Sequence, residues 1–215
     1  MTLRIVSVAA IAAIGLAGCK TSGDLVVQQG VGITAVRTAC PAVGIADYTG
    51  DITLFSPAHA TTADAIDVTA IITNVRSTCT ESAAEVQTNA TFEVQASRRN
   101  TNGARTVELP YFGTVLRGGD SVVAKRLGTV TVSFADGQAR ASASGTAGAV
   151  VNRAEATLPP EIRERITRTR RAGDTDAAID PLTLPEVRAA VTRATFELLI
   201  GFQLTDDQLA YNATR

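Results

Sequence analysis

The 215 residues carry 20 basic and 21 acidic side chains, a formal net charge of −1, so no global basic field directs the protein to nucleic acid. Aromatic residues make up 4% of the chain, tryptophan is absent and histidine occurs once. Stacking platforms for sugars or single-stranded nucleic acid, and imidazoles for metal binding or general-base chemistry, are therefore in short supply. The length suffices to bury a real core of one to one-and-a-half domains.

At the start of the chain, Arg4 and the N-terminus form a small positive region, followed by the apolar run Ile5 to Ile14. Such a run is too short to cross a bilayer, which takes about 20 apolar residues, and suits the apolar centre of a secretory signal. Leu16-Ala17-Gly18-Cys19 closes it. This stretch resembles the lipobox of bacterial lipoprotein signals. The resemblance implies that residues 1–18 are a signal peptide and that Cys19 becomes an acylated N-terminus carrying lipid such as palmitate. It places the protein in the bacterial cell envelope, anchored to the membrane through that lipid. Lys20, directly after the cysteine, resembles the signal for outer-membrane sorting, facing the periplasm. The motif is an address and not an activity.

Residues 19–32 are polar and glycine-containing at first, then carry Leu25, Val26 and Val27, and read as a tether leading into a first strand. With Cys19 assigned to lipid, Cys40 and Cys79 are left as an even pair in an oxidising compartment, and read as one disulfide. Closing such a loop stabilises by roughly 3–4 kcal/mol. Two buried thiols or a metal pair are the competing readings; one histidine and no C-x-x-C speak against zinc.

From Ile33 to Asn152 the apolar period is two. Ile66, Val68, Ala70 and Ile72 alternate with polar residues, as do Phe92, Val94 and Ala96, and Val130, Val132 and Phe134, each the pattern of a strand with one buried face. Gly50-Asp51 precedes the run Ile52–Phe55, and Gly118-Gly119 separates Val107–Leu116 from Ser121–Lys125. Asn102-Gly103 and Asp136-Gly137 suit two-residue hairpin turns of type I′. The Ala139, Ala141 and Ala143 face is small enough for another element to approach closely. Together these predict a mainly β fold. Its first part, 33–152, reads as an antiparallel β-sandwich of Ig-like or fibronectin-like kind.

After Asn152 the pattern changes. The segment 153–215 predicts two or three short α-helices packed on the sandwich. One starts at Pro159-Pro160-Glu161; a second starts at the capping box Thr183-Leu184-Pro185-Glu186, with Leu184, Val187, Val191, Ala194 and Leu198 on one face and Gly201 at its end; a third starts at Thr205-Asp206-Asp207-Gln208. Phe196 to Leu204 is the most hydrophobic stretch outside the signal, and is expected to dock on the β domain and close its core.

Motifs for chemistry are sparse. No G-x-S-x-G, H-E-x-x-H or P-loop occurs, and His59 sits in a Pro-containing loop, so no catalytic residue and no cofactor is assigned. Asp174, Asp176 and Asp180 fail the EF-hand pattern and suit turn capping, so no metal is assigned. Arg163, Arg165, Arg168, Arg170 and Arg171 form the one charge run, suited to an anionic partner or, more simply, to a solvated helix pairing with nearby acids. The reading with fewest demands is a non-enzymatic, lipid-anchored protein serving as a structural or assembly subunit of an envelope complex, with a protein partner and no nucleic acid. The alternative is a carrier holding a lipid or small amphiphile in a β-cavity. A filled interior with an exposed edge or apolar patch favours the first, and a large apolar cavity between the sheets the second.

Overall fold

In the computed structural model of the protein the described residues are 37–214, so the lipobox and Cys19 lie outside them. The chain divides into two compact units. The larger, Ile33–Arg168 with Ile179–Arg215, contains eight strands among its described residues. They are β1 (Ala42–Ile45), β2 (Asp51–Phe55), β3 (Ile66–Glu81), β4 (Glu85–Arg98), β5 (Arg105–Arg117), β6 (Ser121–Phe134), β7 (Arg140–Asn152) and β8 (Phe196–Phe202). Sheet I has the order β1-β8-β5-β6 and sheet II the order β2-β3-β4-β7. The helices are α1 (Arg153–Ala156), α2 (Pro160–Thr167), α3 (Pro185–Ala194) and α4 (Asp206–Thr214), all in the C-terminal part.

The alternating runs form strands because each has a face to bury. Val68, Ala70 and Ile72 of β3, Phe92, Val94 and Ala96 of β4, and Val130, Val132 and Phe134 of β6 all point into one shared core. On the small face of β7, Ala141 and Ala143 are half-buried against that core, while Ala139, just before the strand, is exposed. Gly145 leaves room for the Phe92 ring, which in turn meets Tyr111 of sheet I edge-on at 5.0 Å. β3 carries an irregularity between Thr73 and Arg76, where Asn74 takes a left-handed φ of 51°, a conformation asparagine tolerates.

Two expected hairpins are corrected. Asn102-Gly103 joins β4 of sheet II to β5 of sheet I, and Asp136-Gly137 joins β6 of sheet I to β7 of sheet II. Neither dipeptide closes a hairpin, although both glycines have φ of 76°. The reason is Arg98, at the end of β4 and only 3% exposed. Its guanidinium donates to the carbonyls of Thr101 and Gly103 in one crossing, and of Ala135 and Gln138 in the other, at 2.8–2.9 Å. It also lies over the Phe134 ring at 5.1 Å. Gly103 N donates to Asp136 and Gly137 N donates to the Thr101 carbonyl, so the two crossings also bind one another. Gly118-Gly119, by contrast, does turn β5 into β6 as a hairpin, with φ of 69° and 91°.

The C-terminal expectation is also corrected. The helix starting at Pro185 stops at Ala194, and Phe196–Phe202 is a strand at the interior of sheet I. Phe-Glu-Leu-Leu-Ile-Gly-Phe is apolar at nearly every position, which suits a strand flanked on both sides and not a one-faced helix. Gly201 is no helix end: a side chain there would run into Thr49 and the Phe112 ring. β8 pairs antiparallel with β5 but parallel with β1, so the sheets are not wholly antiparallel. The Thr183 capping box does not form. Thr183 lies in a 3-10 turn and donates to the Asp180 carbonyl, while Leu184 takes the cap position without a side-chain bond. The Thr205 box does form, with Gln208 reaching back to Thr205 N at 2.9 Å.

Cys40, just before β1, is bonded to Cys79 in the outer half of β3 with Cα atoms 6.1 Å apart, so the disulfide joins the two sheets. Replacing both cysteines by serine is expected to lower the unfolding free energy by about 3–4 kcal/mol in denaturant titrations; a loss near zero would show that the 39-residue loop does not constrain the unfolded chain. Arg98→Met, which takes the shared donor from four carbonyls, is expected to cost roughly 2–4 kcal/mol by the same measurement. An unchanged midpoint would mean that the crossings hold without it.

Candidate functional site

The outer face of sheet II carries a groove of about 580 Å³. Strand register builds it in rows: Thr69, Ser97 and Arg140 lie side by side on β3, β4 and β7, and Ile71, Gln95 and Ser142 form the next row. Alternation puts these side chains opposite the core-facing set, so the polar half of the period-two pattern becomes the groove floor. Ile71 is 51% exposed in the middle of it. Its lining includes Asp51 and Glu93 as acids and Arg140 as the base, with no aromatic side chain. Such a floor offers hydroxyls, amides and one aliphatic contact to a polar surface, and no stacking face to a sugar ring or base.

A second groove, about 520 Å³, runs between β6 and β7. Arg126 and Leu127 form one wall, Thr146, Ala147 and Gly148 the other, and the Tyr111 hydroxyl crosses between them to the Thr146 carbonyl at 2.6 Å. The part of β6 bordering it, Ser121–Leu127, is exposed on both faces, with Val122 at 62%, Val123 at 55% and Leu127 at 69%.

Near the sheet II groove an ion pair ties the sheets. Arg105 at the start of β5 meets both carboxylate oxygens of Asp67 on β3, at 2.7 and 2.6 Å. That bond, against an opposing contribution from burial, holds the Asp67 carboxyl below its usual 3.8 and raises the Arg105 guanidinium.

Cys19 lies outside the described residues. In α2, Ile162 and Ile166 are buried against Leu158, Val187 and Ala190, a small second core, which turns the arginines outward. Arg163 and Arg168 are exposed, and Arg165 pairs with Glu186 at 2.7 Å. In the other unit, Arg171 is exposed and Arg170 is 2% exposed with Nε 3.4 Å from Asp176. Asp174 accepts from the Arg171 amide, and Asp180 accepts from the Leu182 amide. Among the described residues no group of three or more His, Cys, Asp and Glu side chains could hold a metal. His59 is exposed in its loop and lines neither groove.

No protein-family model matches the chain, no curated protein matches its sequence, and no solved structure matches its fold.

The lowered carboxyl fixes a pH dependence. Because the folded Asp67 loses its proton more easily than the unfolded one, its contribution is complete above about pH 5 and falls away as pH drops through the lowered value. The stability difference between wild type and Asp67→Asn is therefore expected to be constant, about 1 kcal/mol, near neutrality and to shrink on acidification towards pH 2. A difference that does not change with pH would contradict the pairing.

Proposed function

We propose that the protein is a lipid-anchored subunit of a bacterial cell-envelope assembly, most plainly at the outer membrane facing the periplasm, and that it works by binding and not by catalysis. Its scaffold is a β-sandwich of the Ig-like or fibronectin-like kind, stapled by a disulfide and finished by the C-terminal strand. The observation that carries this reading is that, among the described residues, side chains of both sheets close over one core. Val68, Val86, Val94, Leu109, Val132, Leu198 and Ile200 are fully buried in one core built from both sheets, and the grooves described above open at the surface. A carrier for an amphiphile needs space between the sheets that side chains do not occupy. The Cys40–Cys79 bond suits the oxidising envelope compartment that the Cys19 motif implies.

The sheet II groove is the face for the protein partner, with Ile71 as its central apolar contact. Affinity purification of the tagged, lipidated chain from its own membranes tests this. The expected result is a reproducible envelope protein with wild type, recovered about tenfold less with Ile71→Asp at unchanged melting temperature. A bound amphiphile with no protein partner would contradict the assembly reading in favour of the carrier.

A further inference from the structure

The β5–β6 hairpin, from Gly118 to Leu127, is the region the core does not explain. A strand that borders a sheet normally buries one face. Ser121–Leu127 buries neither, and presents Val122, Val123 and Leu127 to solvent. Lys125 and Arg126 stand among them, both exposed, against the single carboxylate of Asp120 in the turn. Lys125 lies over Phe112 at 4.7 Å, so aliphatic, aromatic and cationic groups occur together at one end of sheet I.

Strand addition by another protein is the ordinary use of such an edge, but the backbone here is unsuited to it. Val115 faces Ala124 and Leu116 faces Val122, which leaves Val123 as an extra, unmatched residue. A bulge of this kind bends an edge and breaks its hydrogen-bond template, and exposed cations on the same edge oppose pairing further. The apolar side chains are thus displayed on a strand that is not built to receive a neighbour.

The anchor read at Cys19 supplies the occupant. Thr195 accepts from the Arg37 guanidinium through its hydroxyl at 2.7 Å, and from the Gly118 amide through its carbonyl at 2.9 Å. Arg37, the first described residue, therefore sits beside the hairpin turn. Residues 20–36 link it to Cys19, a span of at most about 60 Å when extended. The sheet II groove is elsewhere. Its Ser97 and Gln138 lie by the crossing end of β5 and β6, where Arg105 faces Phe134, twelve residues or about 40 Å along β5 from the Arg117–Ser121 end.

We propose that the β5–β6 hairpin is a membrane-contact element: Val122, Val123 and Leu127 enter the interface of the anionic bilayer that holds the lipid anchor, and Lys125 and Arg126 meet its phosphates. Aliphatic burial at the headgroup boundary combined with cation attraction is the general chemistry of peripheral membrane binding. Docked this way, the domain stands on the membrane with its groove facing the aqueous side. The inference rests on the anchored-envelope reading, since without a lipid at Cys19 nothing brings the hairpin to a bilayer.

The test uses the full lipidated chain in vesicles of phosphatidylethanolamine and phosphatidylglycerol, with an environment-sensitive fluorophore on Leu127→Cys or, for comparison, on Ile71→Cys. The expected result is a blue-shifted emission at 127 and an aqueous one at 71. Lys125→Gln and Arg126→Gln should each lower the docked-to-free ratio at 127 by about fivefold while the chain still floats with the vesicles. Aqueous emission at 127 in a chain that floats overturns the hairpin contact and leaves the anchor reading standing. A chain that partitions no differently from Cys19→Ala overturns the anchor reading and the contact with it. A shift seen in native membranes but not in pure lipid assigns the patch to a protein partner and overturns the proposal.

Discussion

The guanidinium of Arg98 is the constraint on which the two-sheet arrangement turns. A chain that passes between sheets leaves backbone carbonyls at the crossing with no ladder to enter, and buried carbonyls without donors are costly. Here both crossings, 99–104 and 135–139, come to the same corner, and one fork of donors reaches carbonyls from each. The charge is spread over four carbonyl dipoles and a ring face. Nearby, Asp67 and Arg105 join the first residues of β3 and β5 across the same corner. The disulfide makes a further link, between the approach to β1 and the outer half of β3.

From that corner the rest follows in order. β4 and β7 pair along nearly their whole lengths, as do β5 and β6, and the paired halves face one another over a common core. β8 then fills the space between β1 and β5, which is why the last apolar stretch of the chain must be extended. Outside the core that the two sheets share, the surfaces differ in chemistry. The outer face of sheet II offers hydroxyls and amides around one exposed isoleucine, while the far end of sheet I offers aliphatic side chains among cations.

Period-two alternation in the sequence located β3, β4, β6 and β7, because each has one wet and one dry face. Turn dipeptides were less informative. Asn-Gly and Asp-Gly report a local left-handed bend, which serves a crossing between sheets as well as a hairpin. Phase would have told them apart: Arg98 continues the inward series Phe92, Val94, Ala96, and an arginine at an inward position needs acceptors that a simple hairpin does not supply. β8 was misread because Leu198 happens to continue the helical spacing of Val187, Val191 and Ala194, whereas the uninterrupted apolar run after Thr195 is the stronger sign of a strand flanked on both sides. The groove lay in the polar half of the alternation, where single residues carry no signal, and only register brought Thr69, Ser97 and Arg140 together. Val122-Val123 broke the alternation outright, and that loss of phase was the visible trace of a strand with no buried face.

The corner binds both sheets into one cooperative body. Native-state hydrogen exchange measures this directly, by comparing amides of Val94 in sheet II and Leu198 in sheet I, both buried on interior strands. One common opening free energy is expected for the two, falling together as denaturant is raised. Separate values, with one sheet exchanging while the other stays protected, would contradict it.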